Sequence, residues 1–239
     1  MIPYIIINGV SSKNINGLLI QSLPPISKPK KRISVQEIDG RDGDIVTVLG
    51  YGSYDKPITI GLKGDFNIDD VIEYFNSSGQ IIFSNELDKY YNFAIYNQID
   101  FNKLLRFRTA SFNLHVQPFK YLVDEPPIVW TNTGDVTIAK IPVRNLGNIY
   151  SKPKLTITGK DTITVYIDNT QILELALSSA GETIIVDAAT MNATDNDGNY
   201  LNRQVTGDYD NLILGVGVSN LRITGTVQSV TINNYCRWI

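Results

Sequence analysis

The chain has 239 residues, 43% hydrophobic and 19% charged, with 24 acidic and 21 basic residues and a net charge of -3. That is more than the ~100 to 200 residues of one ordinary domain, so two domains or one large all-β unit fit, with enough apolar material for a real core. The slightly acidic balance gives no whole-protein argument for nucleic-acid binding, and no run approaches the ~18 consecutive apolar residues of a membrane helix. Met1-Ile2-Pro3-Tyr4-Ile5 has neither the charged start nor the long apolar core of a secretion signal, which predicts synthesis and assembly in a cytoplasm. With a single cysteine, Cys236, no internal disulfide can form, and stability must come from packing and oligomerisation.

The first elements are short apolar runs at Tyr4 to Ile7 and Leu18 to Ile20, with Asn8-Gly9 and Asn16-Gly17 beside them as hairpin signals. Residues 24–32, PPISKPKKR, read as a solvated linker and edge guard, since proline cannot serve in a central strand. The most strongly patterned local unit follows. Ile33-Val35-Ile38 and Ile45-Val46-Thr47-Val48 flank Asp39-Gly40-Arg41-Asp42-Gly43-Asp44, a β-hairpin whose glycines supply positive φ and whose aspartates can make Asx-type turns. Its apolar residues are expected on both faces, Ile33 and Val35 on one and Ile38 on the other. A two-stranded ribbon is marginal in water, so it needs a partner: either the rest of its own domain, or a neighbouring subunit.

One helix is predicted after Asp65: Ile68, Val71, Ile72 and Phe75 form a single apolar stripe, Asn67 caps it, Asp69 and Asp70 suit its positive end, and Gly79 stops it. Strands are expected at 80–84 and around 90–96. The run from Arg106 to Phe119 alternates from Ala110 onward, with Ala110, Phe112, Leu114 and Val116 inward and Ser111, Asn113, His115 and Gln117 on a polar face. Pro118 and Pro126-Pro127 mark a domain boundary, placing a first domain at 1–127 and a second at 128–234. In the second half, turn signals every ~8 to 12 residues argue for a β-sandwich. Its strands are predicted at 136–143, 154–158, 162–167, 171–176, 183–187, 212–216, 221–226 and 227–234, with turns at Gly159-Lys160-Asp161, Asp168-Asn169, Ala180-Gly181, Asp195 to Gly198 and Gly225.

No catalytic or metal constellation stands out. The single histidine, His115, shares a polar strand face with Asn113 and Gln117 and reads as a surface or interface residue. One histidine and one cysteine do not make a structural zinc site. Asp195-Asn196-Asp197-Gly198 resembles a calcium loop, but with Gly198 at the sixth position Ala193 and Gln204 occupy the first and twelfth, where carboxylates are required. Residues 215–220, GVGVSN, lack the third glycine and following helix of a dinucleotide fingerprint. The 13 tyrosines, 8 phenylalanines and 2 tryptophans serve a core, an interface or a sugar-binding platform equally well, and no carboxylate pair is singled out for glycan hydrolysis. No cofactor and no enzymatic activity are expected.

The order of these features resembles the distal tail protein (Dit) family of siphophages infecting Gram-positive bacteria. The resemblance is carried by Asp39 to Asp44 between two strands, the helix before Gln80-Ile81-Ile82-Phe83, and the Val116-Gln117-Pro118-Phe119-Lys120-Tyr121 segment. Further along it rests on Asn145-Leu146-Gly147-Asn148 leading to Pro153, Ile185-Val186-Asp187 before Met191, and Leu212 to Gly215 before Asn220 to Gly225. It implies a mainly β protein: a β-sandwich-like first domain with one helix and a protruding β-hairpin, then a galectin-like β-sandwich, with 235–239 returning to complete the first domain. It further implies a homo-hexameric ring at the distal end of the virion tail, joining a tail-tube protein above to a tail-tip protein below, with receptor-binding proteins as further partners and a channel for DNA. The hairpin would be the arm on the adjacent subunit, with Ile38, Arg41, Asp42, Gly43, Asp44 and Ile45 at the subunit interface. The galectin likeness carries no sugar site, since that family's site uses histidine and the second half has none. A carbohydrate-binding module for host cell-wall attachment is the alternative reading.

Overall fold

The computed structural model describes residues 2–133 and 137–239. The chain is mainly β and divides into two compact units, Met1–Val123 with Ile239, and Asp124–Trp238.

The first unit opens with β1 (Ile5–Ile7) and β2 (Val10–Ser11), joined by Asn8-Gly9 with both residues at positive φ, as a two-residue hairpin of primed type requires. Then come β3 (Leu18–Ser22), β4 (Lys31–Gln36), β5 (Ile45–Tyr51), β6 (Tyr54–Leu62), α1 (Ile68–Phe75), β7 (Ser78–Phe83), β8 (Lys89–Ala94), α2 (Phe101–Phe107) and β9 (Thr109–Leu122). The main sheet runs β2-β1-β7-β8-β9-β6-β3, and β4 and β5 pair only with each other. The inward residues of β9 are Ala110, Phe112, Leu114 and Val116, all buried as the alternation requires.

Asn67 caps α1 by accepting from Asp69 N at 3.1 Å. The buried face is rotated from the predicted stripe: Val71 and Phe75 are covered, Ile72 is 36% exposed, and Tyr74 takes its place. The Tyr74 hydroxyl suits that position because its one proton is shared between the carbonyls of Val10 at 3.1 Å and Ile5 at 3.3 Å. The helix ends at Asn76, and Gly79 lies inside β7, where Asn8 occupies the space a Cβ would need. One element differs from expectation. Residues 101–107 form a helix, capped by Asp100 and ended by Arg108 in the left-handed conformation, where a strand was expected to begin at Arg106. β6 lies between β9 and β3 although it contains Pro57, because β3 pairs with β6 only from Thr59 onward and Pro57 needs no donor on that side.

The second unit contains β10 (Ile128–Thr131), β11 (Ile138–Asn145), β12 (Lys154–Ile167), β13 (Thr170–Asp187), β14 (Asn192–Thr194), β15 (Val205–Gly207) and β16 (Gly217–Asn233). The strand predicted from Val136 begins outside the described residues and is seen from Ile138. Three expected turns are not reversals. β12, β13 and β16 continue as strands through 159–161, 180–181 and 225, and the sites expected to reverse the chain are bends. Either side of the bends the long strands belong to different layers. One layer is ordered β10, β16 (227–233), β12 (154–159), β13 (182–187), β14; the other is β11, β16 (217–224), β12 (161–167), β13 (170–177), β15. Leu155, Ile157 and Val186 of the first and Ile163, Leu175 and Ile223 of the second belong to one buried cluster, the core of a β-sandwich.

The bend is possible because two glycines let backbones approach. A Cβ on Gly159 would lie 2.4 Å from Thr226 O, and one on Gly225, at φ 117°, would lie 2.4 Å from Thr162 O. The expected reversal at Asp168-Asn169 is present, both residues having positive φ. Residues 212–216, expected to be a strand, make a single bridge, Leu214 to Ser151.

Candidate assembly surface

Among the described residues, the β4–β5 hairpin is left largely uncovered by its own unit. Its register sets Ile33 opposite Val48 and Val35 opposite Val46, so four β-branched side chains share one face. They are 48%, 53%, 49% and 56% exposed respectively, and every residue of β4 is exposed. Ser34 opposite Thr47 and Gln36 opposite Ile45 make the other face largely polar. Ile33 and Val35 share one face as expected, and the apolar residue of the other face within the strands is Ile45. Ile38 lies beyond β4 in the tip, and Leu49 is the extra residue where the register shifts beside Arg32 and Ile33. Completing the burial of each β-branched side chain would contribute roughly 1 kcal/mol. Isolated apolar side chains on a surface are ordinary, whereas these four form a contiguous exposed face on a two-stranded ribbon, which makes it the candidate surface.

The structure places Ile38, Arg41, Asp42, Gly43 and Asp44 together at the tip, and Ile45 at the start of β5. The turn is closed by Arg41 N donating to Ile38 O at 3.1 Å, with Gly40 at φ 81° and Gly43 at φ 79°. Among the described residues, Asp39, Asp42 and Asp44 make no side-chain hydrogen bond of the expected Asx kind; all three are exposed, where a partner can reach them.

The root of the hairpin, by contrast, is tied down by residues that sequence reading missed. Tyr54 donates its hydroxyl to Ser27 O at 3.2 Å, Lys56 donates Nζ to Pro25 O at 3.0 Å, and Gly52 N donates to Lys30 O at 2.9 Å. The Tyr51 and Phe119 rings meet edge to face, with centroids 5.4 Å apart. Lys56 is only 2% exposed and sits over the Tyr91 ring at 4.8 Å. Burial lowers its pKa to about 8, against the attraction of Glu86, whose carboxylate is engaged by Lys120 at 2.7 Å and by the Tyr91 hydroxyl at 3.2 Å. Burial likewise raises the Tyr54 and Tyr91 hydroxyls. The signal for Lys56 was its phase: it shares the inward side of β6 with Ile58 and Ile60.

In structure comparison the chain is similar to the Dit protein of phage SPP1, described as a paradigm of hub adsorption apparatus in Gram-positive infecting phages. The likeness has a TM-score of 0.63 and covers 97% of this chain and 98% of that one at 18% identity. The chain has the Dit fold. Baseplate chains of phage P2, in activated conformations with calcium and with strontium, align over 97% of both chains at 8% identity, with TM-scores of 0.44 and 0.43. No family model and no curated protein matches the sequence.

The remaining candidates give no second centre. His115 Nδ1 pairs with Asp55 at 2.8 Å beside the Tyr96 ring, while Ser111 on that face pairs with Thr59 at 2.9 Å, so among the described residues no hydroxyl is hydrogen-bonded to the histidine. The Asp195 carboxylate accepts from Asp197 N, Asn199 N and Asn199 Nδ2, which makes residues 195–199 a hairpin turn. Cys236 is fully buried, its Sγ accepting from Leu146 N at 3.2 Å and its thiol pKa raised to about 11, chiefly by burial. Among the described residues no group of three His, Cys, Asp or Glu could hold a metal, and no helix is long and apolar enough to cross a membrane.

Proposed function

We propose that this chain is a structural hub of a phage tail tip. Six copies close into a ring that joins the tail tube to the tail-tip protein and leaves a channel for DNA, and the chain acts without catalysis, cofactor or metal. The observation that carries this reading is the β4–β5 arm: a fixed root, an acidic tip and an unpartnered β-branched face, on a chain with the Dit fold along 97% of its length. An arm whose apolar face is finished only by a second copy gives repeated contacts of one kind, which close into a ring when the rotation between copies permits. The site of action is the distal end of the virion tail, reached by assembly in the host cytoplasm. The first unit, with the arm, forms the ring, and the second unit is the galectin-like sandwich that faces neighbouring tail components.

The test is the mass of the purified chain at micromolar concentration by sedimentation, with negative-stain images of the same sample. Rings of six are expected. A monomer retained on cell-wall glycans would replace this reading with a carbohydrate-binding module.

A further inference from the structure

We infer that the arm tip of one copy docks on α2 of the next, an acidic and apolar tip meeting a basic and apolar helix. The inference rests on the hub reading and names the receiving surface, which that reading leaves open. The tip carries Glu37, Asp39, Asp42 and Asp44 against the single cation Arg41, with Ile38 43% and Ile45 36% exposed among them. α2 is the reverse. It carries Lys103 and Arg106, with Arg108 at its end and no acidic residue from 101 to 108, and Leu105 and Phe107 are 40% and 59% exposed.

A seven-residue helix that buries Leu104 and leaves Leu105 and Phe107 in solvent is poorly accounted for by its own unit. Its two arginines lie over aromatic rings: Arg108 is 4.6 Å from the Phe66 centroid and Arg106 is 5.2 Å from that of Phe107. Guanidinium groups placed this way still present donors to carboxylates, and Arg is suited to such interfaces. Arm and α2 are different surfaces, so the contact is head-to-tail, the kind that makes rings. The other basic stretch of this unit, Lys28, Lys30, Lys31 and Arg32, lies at the root of the arm itself. A tip bound there would leave the exposed Leu105 and Phe107 of α2 uncovered.

The experiment is a charge swap read by sedimentation. Lys103→Asp with Arg106→Asp should weaken ring association roughly a hundredfold, and Asp42→Lys with Asp44→Lys should do the same, because unlike charges become like ones at the contact. All four substitutions in one chain should restore much of the ring, which mere damage to either surface would not do. Unchanged thermal unfolding of each variant shows that the fold is intact. Lys30→Glu with Lys31→Glu should leave the ring in place. If the wild type forms rings and the α2 reversal leaves them unchanged, or if the root reversal dissolves them and the α2 reversal does not, this docking is overturned while the hub reading stands. If the wild type forms two-fold pairs or stays monomeric, both fall.

Discussion

The arm and the second unit use the same local vocabulary, β-branched strands interrupted by glycine, and end in opposite states. In the arm, Gly40 and Gly43 stand in open space at positive φ, and the β-branched residues beside them remain about half exposed. In the second unit, Gly159 and Gly225 are walled in by the backbone of the opposing strand, and the flanking Ile157, Ile163 and Ile223 are fully buried. Glycine serves chain direction in the first case and close approach in the second. The difference teaches where each region finds its partners: the sandwich supplies its own, and the arm does not.

The largest effect expected is therefore in the second unit. Gly159→Val puts a Cβ against Thr226 O and Ile163 Cδ1 at a bend that both layers depend on, and should destabilise that unit by about 4 kcal/mol in thermal or denaturant unfolding. Val46→Ser with Val48→Ser should do the reverse in kind. It leaves the unfolding of the isolated chain within about 0.5 kcal/mol, since exposed side chains lose little, but weakens ring association roughly a hundredfold by removing apolar area a second copy would bury. A melting loss of several kcal/mol would show the arm packed on its own chain and abolish the contrast.

How legible these two states are in the sequence follows from the same physics. Elements whose signals are local could be read: the Asn8-Gly9 turn, the Asn67 cap, the alternation of β9 and the hairpin at 33–48. The bends of β12, β13 and β16 could not, because residues 159–161 have the composition of a reversal and become a bend only through their pairing with 182 and 226–227. α2 was missed because 101–107 offers the core Leu104 and no stripe, and β6 because Pro57 and the buried Lys56 argue against a central strand. The tip residues of the candidate surface were readable as a turn. That their strands would find no cover within the unit was not, since exposure is a property of the whole fold.

Lys56 sharpens the comparison from the arm's root, where a charge is buried to hold the linker. At neutral pH its ammonium is protonated in folded and unfolded chains alike, and burial penalises the folded one. From about 8 up to its ordinary value near 10.5 the folded amine is neutral while the unfolded chain still holds the proton. Folding then releases protons, so stability should rise with pH across that window, by about 2 kcal/mol. In Lys56→Met the rise should vanish. The measurement belongs below pH 10, because Tyr54, Tyr74 and Tyr91, all raised by burial, hold their protons in the fold and take stability away as the unfolded tyrosines ionise above it. An identical slope in both proteins would detach Lys56 from the root.

The smallest effect is at the tip itself. Gly43 has φ 79° and an added Cβ would meet nothing within 4 Å, so Gly43→Val costs strain alone, about 1 to 2 kcal/mol for a β-branched residue in the left-handed region. At a tip whose residues are all exposed, the chain relieves that strain by letting the tip change shape, and the unfolding of both units should stay where it was. In a ring the tip's shape is fixed by what it touches, and the same strain must be met on assembly, a weakening of roughly tenfold in sedimentation. Unchanged assembly would mean that the tip is free in the ring as well, and would move the contact down the arm to the Ile33, Val35, Val46 and Val48 face.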